Sequence, residues 1–395
     1  MEDNKLCLES SSDITSKGRR IQSPQHEHRN MVNSAPARDT QRVWQGVPEV
    51  VASGSPWDIG VAHGSQIPSR IRTCISNYER LFRETAECDW EESRKRAATH
   101  LPSLERNEPD LVEEMRGIAQ GAGVDSFDIL ALNLRSEISL TNYSDGCTSI
   151  VTQNPTSGEV FLAQNWDWVG EARTSTAFFD IQQTGKPRVR MMGEAGILAK
   201  FGFNAASLGV CMNAIRCGTI NRDALPVHLA MRRVLQCSSF DEAFAMLEQK
   251  GVASCVNLVI ADRRGKFATI ECTPKGLAPI LPTPGSTTTF HTNHLWSPAT
   301  PTDILDHPAK NSFSRLERIR ELSYGQEADI SKIRAWMSDE QGTPVSICRS
   351  MPTGAKGIER METLATVIMD LSKGILEVSF GKPSLLPPIR TISTD

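Results

Sequence analysis

The hydrophobic pattern of this 395-residue chain changes near residue 147, and that change limits the folds open to it. Upstream, three segments carry apolar residues three or four positions apart, the spacing of one helix face. These segments are 71–86, 91–100 and 108–121. Downstream, 148–152 and 159–164 alternate apolar and polar residues on either side of a turn at 154–158. The chain is therefore predicted to pass from helices into a β-hairpin.

The rest of the chain continues in blocks of one pattern and then the other. Further strands are predicted at 176–183, 187–192, 208–213, 254–261, 266–272, 363–370 and 375–380. Further helices are predicted at 226–235, 240–249, 314–322 and 330–337. This order of blocks predicts a layered α+β fold in which helices cover the faces of antiparallel sheets.

The first 42 residues are polar and show almost no apolar periodicity, so we predict a disordered tail there. The net charge of -4 gives no basic field for a nucleic acid. No segment approaches the roughly 20 apolar residues that cross a bilayer, and the N-terminus lacks the apolar core of a signal peptide. The last three residues, Ser393-Thr394-Asp395, are not a peroxisomal address. We therefore expect a cytoplasmic protein with no membrane or nucleic-acid partner.

The ten cysteines are scattered along the chain, without CxxC pairs or Cys/His pairs at the spacing of zinc ligands. This distribution favours reduced thiols over a disulfide framework or a metal site. Most of them are expected to be small buried hydrophobes.

One of these cysteines, Cys147, follows Gly146 at the predicted start of a strand. A glycine there tolerates strained backbone angles, which matter if the sulfur of Cys147 attacks the peptide bond that precedes it. Opening of the resulting thioester by water leaves a free α-amine on Cys147, and an amine with a pKa near 8 is able to act as the general base for the thiol. The alternative is a structural cysteine at a strand start.

Several motifs follow one another in the order found in a single family. They are DGCTS at 145–149, QNWDW at 164–168, GFN at 202–204, HTNH at 291–294 and SICR at 346–349. With GSPWDIG at 54–60 and LNLRSE at 132–137, they make the chain resemble the acyl-coenzyme A:isopenicillin N acyltransferases of the N-terminal-nucleophile hydrolase superfamily, over residues 46–383.

This resemblance implies a four-layer αββα sandwich and a precursor that cuts itself between Gly146 and Cys147. It implies an α chain of residues 43–146 and a β chain of residues 147–395, which stay associated as a heterodimer. Cys147 would be the nucleophile both in maturation and in acyl transfer.

The resemblance also implies roles for residues far from Cys147. Asp167 matches a position needed for activity, where a carboxylate orients the α-amine or an arginine. Asn293 matches a position whose amide donates a hydrogen bond to the oxyanion. Arg360 matches an arginine that lowers the thiol pKa, with Arg349 as the second choice. Ser254 matches a supporting serine on an inner strand.

Three functions remain open from sequence. The first is an N-acyltransferase or amidohydrolase that moves an acyl group from an amide or acyl-coenzyme A to an amine or to water, in secondary metabolism. Its substrates are small molecules, and it needs no cofactor beyond acyl-coenzyme A as a co-substrate. The second is an uncleaved hydrolase that pairs Cys147 with His291 or His294, two histidines with too few neighbouring ligands to predict a metal site. The third is a binding protein that keeps the fold.

Overall fold

The computed structural model describes residues 42–139, 146–301, 303–304 and 306–394. The predicted polar tail, residues 1–42, lies outside them except for Arg42. The strands are β1 (Val43–Trp44), β2 (Val47–Gly54), β3 (Gly146–Gln153), β4 (Val160–Val169), β5 (Thr176–Gln183), β6 (Val189–Glu194), β7 (Phe201–Asn204), β8 (Leu208–Ala214), β9 (Val256–Asp262), β10 (Phe267–Thr273), β11 (Gly276–Ile280), β12 (Thr288–His291), β13 (Met361–Asp370), β14 (Ile375–Phe380) and β15 (Ile389–Ser393).

Helices precede β3 and return between and after the strands. They are α1 (Pro56–Gln66), α2 (Pro68–Thr85), α3 (Trp90–Ala98), α4 (Leu101–Asn107), α5 (Pro109–Ala122), α6 (Ser126–Asn133), α7 (Arg135–Ser139), α8 (Val227–Leu235), α9 (Phe240–Lys250), α10 (Lys310–Ser323) and α11 (Ile330–Met337). Each helix and strand predicted from periodicity is present, with ends that differ by a few residues.

Two sheets pack face to face between layers of helices. One has nine strands in the order β1-β2-β5-β6-β7-β8-β9-β10-β11, and the other has six in the order β12-β3-β4-β13-β14-β15. Strands β3 and β4 pack on β8 and β9, while α1, α8 and α9 cover the nine-stranded sheet and α10 and α11 cover the six-stranded one. The four-layer αββα sandwich is therefore confirmed.

One ladder departs from the antiparallel prediction. Strand β2 runs parallel to β5, with Glu49 opposite Phe178, whereas the other ladders among the described residues are antiparallel. A parallel pair needs a long crossover, and here more than 120 residues separate the two strands. The segment before residue 147 therefore contributes to the same sheet as the segment after it.

The hairpin of β3 and β4 has a local cause that the sequence shows. The Asn154 side-chain oxygen accepts from the N–H groups of Thr156 and Ser157, both at 2.9 Å, and Gly158 has a φ of 74° that suits glycine. This turn sets a register in which Cys147 lies opposite Trp166 and Gly146 opposite Asp167.

Helices α1 and α5 cross at a glycine contact. A Cβ atom at Gly60 would lie 2.2 Å from the Glu114 carbonyl oxygen, and one at Gly64 would lie 2.2 Å from the Ile118 carbonyl oxygen. Glycine at these positions lets the two backbones touch. The start of α1 is fixed by Ser55, which forms a capping box with Asp58. In the part of the chain that the structure describes, none of these helices has the length and apolar character needed to cross a bilayer.

Candidate functional site

Strand β3 presents its first residues to two different layers. Successive side chains of a strand point to opposite faces, so Cys147 shares a face with Ser149, whose hydroxyl donates to Asn213 of β8 at 2.6 Å. Thr148 points the other way and accepts from Arg315 of α10 at 3.1 Å. The Cys147 side chain therefore faces the nine-stranded sheet, and it is buried, with 1% of its surface exposed.

Gly146 lies in a space that leaves no room for a side chain. A Cβ atom there would be 3.0 Å from Oδ2 of Asp167 and 3.3 Å from Nη1 of Arg349. Asp167 is fully buried, and its Oδ1 accepts from the Thr363 hydroxyl at 2.7 Å. The same hydroxyl accepts from the backbone N–H of Arg349 at 2.8 Å. A carboxylate and an arginine thus both border the residue on the acyl side of the Gly146–Cys147 peptide bond.

Asn293 holds the other side of that bond. Its Oδ1 accepts from the backbone N–H of Cys147 at 3.0 Å, and its Nδ2 donates to the carbonyl oxygen of Ala214 at 2.9 Å. The sequence prediction gave this amide the role of donor to an oxyanion. In the structure its oxygen faces Cys147 instead, because the Ala214 carbonyl at the end of β8 accepts from the nitrogen.

Arg315, which the sequence analysis did not single out, joins these groups. Its Nη1 donates to the carbonyl oxygen of Cys147, and its Nη2 donates to Oδ1 of Asn293 at 2.8 Å. Burial, the largest effect, lowers the pKa of Arg315 to about 10 although the nearby Asp167 carboxylate opposes the shift. The sequence did hold a signal, since Arg315 falls on the buried face of α10 between Ser312 and Ile319.

A cavity of about 580 Å³ opens at this cluster. Its lining combines three arginines and a histidine with apolar groups. The cationic or ionisable members are Arg216, Arg315, Arg349 and His307, and the apolar ones include Pro308, Pro352, Ile358 and Met361. Glu359 is the one carboxylate among the residues that line it in the described part of the chain. Such a surface suits a ligand that is anionic at one end and apolar at the other.

Two predicted site residues lie elsewhere. Arg360 is half exposed, pairs with Glu171 at 2.5 Å and lines a separate cavity of about 190 Å³. Ser254 donates to the buried carboxylate of Glu137 at 2.8 Å and does not line the larger cavity. Of the two arginines considered from sequence, the structure places the second choice, Arg349, beside Gly146.

Both histidines of the HTNH motif have structural partners. The ring nitrogens of His291 lie 3.1 Å from Oε1 of Glu271 and 2.9 Å from the Thr292 carbonyl oxygen. His294 is 2.7 Å from the Ser312 hydroxyl, and burial, followed by the neighbouring His291 and Arg315, lowers its pKa to about 4. No group of three or more metal-binding side chains occurs among the described residues.

The prediction of reduced cysteines is wrong for one pair. Cys217 and Cys255 form a disulfide, with Cα atoms 6.1 Å apart. The spacing of the two residues, 38 positions, carried no motif, and the pair meets only because β8 and β9 are neighbours in the sheet. Cys147 is buried and forms no disulfide bond with another described cysteine.

The chain is similar in sequence to a known acyltransferase and is matched by several solved structures. A relative from Emericella nidulans, the acyl-coenzyme A:6-aminopenicillanic-acid-acyltransferase 40 kDa form, is 29% identical over 339 residues, which are 85% of this chain and 93% of the relative. Similar solved structures include penicillin V acylase from Agrobacterium tumefaciens, with a TM-score of 0.43 and 15% identity over 62% of this chain and 86% of that one. A variant of conjugated bile acid hydrolase from Clostridium perfringens gives a TM-score of 0.45 and 14% identity over 62% and 92%.

The chain is an enzyme of the acyltransferase class. The model of the family "Acyl-coenzyme A:6-aminopenicillanic acid acyl-transferase" matches residues 153–385, and the chain belongs to this family.

Proposed function

We propose that this enzyme is made as a precursor that cuts itself between Gly146 and Cys147 and then uses Cys147 to transfer acyl groups. One observation carries the proposal. The Gly146–Cys147 peptide bond has an amide oxygen on its N–H group, a carboxylate and an arginine against its glycine, and a second arginine on the next carbonyl.

In the cleavage step, the Cys147 sulfur attacks the carbonyl carbon of Gly146. The carbon–nitrogen bond breaks, the nitrogen takes up the thiol proton, and the two residues are joined by a thioester. Water then hydrolyses the thioester, which gives a carboxylate on Gly146 and restores the thiol. The new α-amine stays next to Oδ1 of Asn293, which already accepts from the same nitrogen.

In turnover, the α-amine takes the thiol proton and the thiolate attacks the acyl donor. The leaving group departs with that proton and leaves an acyl thioester on Cys147. An amine or water then attacks the thioester, and the α-amine accepts its proton and returns it to the sulfur. Movement of the cleaved Gly146 away from Cys147 would open the space beside Asp167 and Arg349, so that the Asp167 carboxylate could orient the ammonium form of the α-amine.

The substrates proposed are small molecules: an acyl-coenzyme A or an amide as donor, and an amine or water as acceptor, in secondary metabolism. The cationic part of the cavity suits a donor or acceptor that carries an anionic group. The name of the Emericella relative specifies acyl-coenzyme A and 6-aminopenicillanic acid. We therefore take these two compounds as the first probes, and hydrolysis of the donor alone as the second.

The first prediction is that purified protein runs as two fragments. In proportion to 43.5 kDa for 395 residues, they have masses of about 16 kDa for 1–146 and about 27 kDa for 147–395. Denaturing electrophoresis and N-terminal sequencing measure this, and the larger fragment should begin at Cys147. The Cys147→Ala variant should remain one chain.

Cys211→Ala is the matched control, because Cys211 is another buried cysteine near Cys147 and has no place in the mechanism. It should be cut like the wild type. Active wild-type protein recovered only at full length would exclude self-cleavage and favour the uncleaved Cys–His hydrolase. An intact chain whose Cys147 does not react with thiol reagents would favour a binding protein.

A further inference from the structure

One buried arginine connects the backbone of the nucleophile to the asparagine that holds its nitrogen. Arg315 is 2% exposed and donates to oxygen atoms of four residues. These are the Cys147 carbonyl, the Thr148 hydroxyl at 3.1 Å, the Asn293 side chain at 2.8 Å and the Asn311 side chain at 3.2 Å. The guanidinium group has a fixed planar shape, so these contacts hold β3, the loop that carries Asn293 and helix α10 in a single arrangement.

Among the described residues, Arg315 forms no ion pair. Its four hydrogen-bond acceptors there are neutral oxygens, although the Asp167 carboxylate lies near enough to oppose the lowering of its pKa. Its pKa of about 10, lowered mainly by burial, still leaves it protonated at neutral pH. A full positive charge therefore contacts the backbone of Cys147, the residue on which a thiolate and a free amine would form.

We propose that Arg315 is a positioning residue of the enzyme, which fixes the Cys147 backbone and the Asn293 side chain relative to each other and whose charge favours the thiolate and the neutral α-amine. This inference rests on the proposed function. The sign of the electrostatic effect is the same for both groups, because a nearby cation stabilises an anion and destabilises another cation. The pKa of the thiol and that of the α-amine should both be lower with Arg315 present than without it.

Other charged groups also face this position and set the background against which Arg315 acts. Asp167 of β4 and Arg349, before β13, lie beside Gly146 with opposite charges, so the carboxylate would raise both pKa values and the guanidinium would lower them. At the cavity the remaining charged or ionisable groups are Arg216, His307 and Glu359. Because Arg315 donates a hydrogen bond to the carbonyl oxygen of Cys147, its removal should change the titration even with these groups intact.

The test compares two variants. Arg315→Met keeps most of the length of the side chain but removes the charge. Arg315→Lys keeps the charge but removes the planar guanidinium group with its several N–H donors. Cleavage is followed over time during cell-free synthesis. In the cut protein, alkylation of Cys147 by iodoacetamide is followed by peptide mass spectrometry from pH 5 to 9. For Arg315→Met we expect cleavage at least tenfold slower and an alkylation midpoint about one pH unit higher.

For Arg315→Lys we expect a midpoint close to that of the wild type but slower cleavage, because an ammonium group cannot hold the same oxygens in a plane. Arg320→Gln is the control, since Arg320 lies on the same helix and is half exposed, paired with Glu317. It should match the wild type in both measurements.

Unchanged cleavage and an unchanged midpoint in Arg315→Met would overturn the inference. If that variant does not fold, Arg315→Lys decides, and wild-type cleavage in it would remove the positioning role. A loss of stability with an unmoved midpoint would show a structural role only. The proposed function fails by a different result, namely a wild-type chain that is never cut.

Discussion

Asn293 contacts Cys147 through the oxygen of its amide, and this assigns it an acceptor role before any oxyanion forms. We expect Asn293→Ala to slow acyl transfer by on the order of a hundredfold, as for other residues that contact the reacting group by one hydrogen bond. We also expect slower self-cleavage, because the N–H group of Cys147 loses its buried acceptor. Turnover of acyl-coenzyme A and the rate of cleavage are the two measurements.

The Asn293→Asp variant separates the two ends of the amide. It keeps an oxygen for the nitrogen of Cys147 and for Arg315, but loses the N–H group that binds Ala214. If the acceptor role dominates, Asn293→Asp should cleave faster than Asn293→Ala. Equal cleavage in the two variants, with the fold intact, would return Asn293 to the role of an oxyanion donor.

The sequence was sufficient to bring Cys147, Asp167 and Asn293 into one hypothesis, because motif order carries them together. It did not reveal Arg315, and it ranked Arg360 above Arg349. The reason is that an arginine reaches far from its backbone, and its partners depend on which elements lie within that reach. Arg360 forms an ion pair with Glu171. The backbone N–H of Arg349 donates to the Thr363 hydroxyl, and this places the Arg349 side chain beside Gly146.

At the scale of elements, the contact between α1 and α5 gives the sharpest stability prediction. Gly64→Ala places a methyl group 2.2 Å from the Ile118 carbonyl oxygen, which neither backbone can avoid without moving. Alanine favours a helix over glycine by about 1 kcal/mol, but overpacking of this kind costs about 3 kcal/mol. The free energy of unfolding should fall by about 2 kcal/mol.

Chemical denaturation measures the effect of Gly64→Ala. Gly218→Ala is the control, because a Cβ atom there meets nothing within 4 Å, and its free energy of unfolding should stay within about 0.5 kcal/mol of the wild type. Equal stability of the two variants would show that α1 and α5 are able to separate at low cost.

Sequence patterns predicted most of the long elements and missed several of the short ones. Helix α11 and strand β14 were predicted with the bounds that the structure shows. Helices α6 and α7 were missed; α7 has only five residues, all buried and mostly polar, so it shows no apolar stripe. The parallel pairing of β2 with β5 has no local signal at all, because it joins distant parts of the chain.

At the scale of the whole molecule, buried neutral histidines make stability depend on pH. Burial, together with Arg232, lowers the pKa of His63 to about 3, and burial, together with Arg222, lowers that of His100 to about 4. In the unfolded chain both groups take up a proton near pH 6.5. The contribution of these two histidines to the free energy of unfolding is therefore fully present above pH 6.5, and it is lost as the pH falls towards their pKa values in the folded protein. Each buried imidazole should lower the free energy of unfolding by up to about 1.4 kcal/mol per pH unit.

The test is chemical denaturation of the wild type and of His63→Gln between pH 7.5 and 5. Glutamine keeps an acceptor for the N–H group of Gly196, which His63 binds at 3.0 Å, but it does not titrate. The slope of stability against pH should be smaller in the variant by about one proton. Parallel curves would mean that His63 is protonated in the folded state.

Strand β2 has a further consequence for a chain that is cut at Gly146. The upstream piece supplies β1 and β2 to the nine-stranded sheet, where β2 pairs with β5 of the downstream piece, and it supplies helices α1 to α7 to the same hydrophobic core. The nine-stranded sheet and the hydrophobic core are therefore each complete only when both pieces are present. The two chains of the cut molecule could separate only by unfolding, so dilution would not dissociate them. The free energy of their association would then equal the free energy of unfolding of the whole fold.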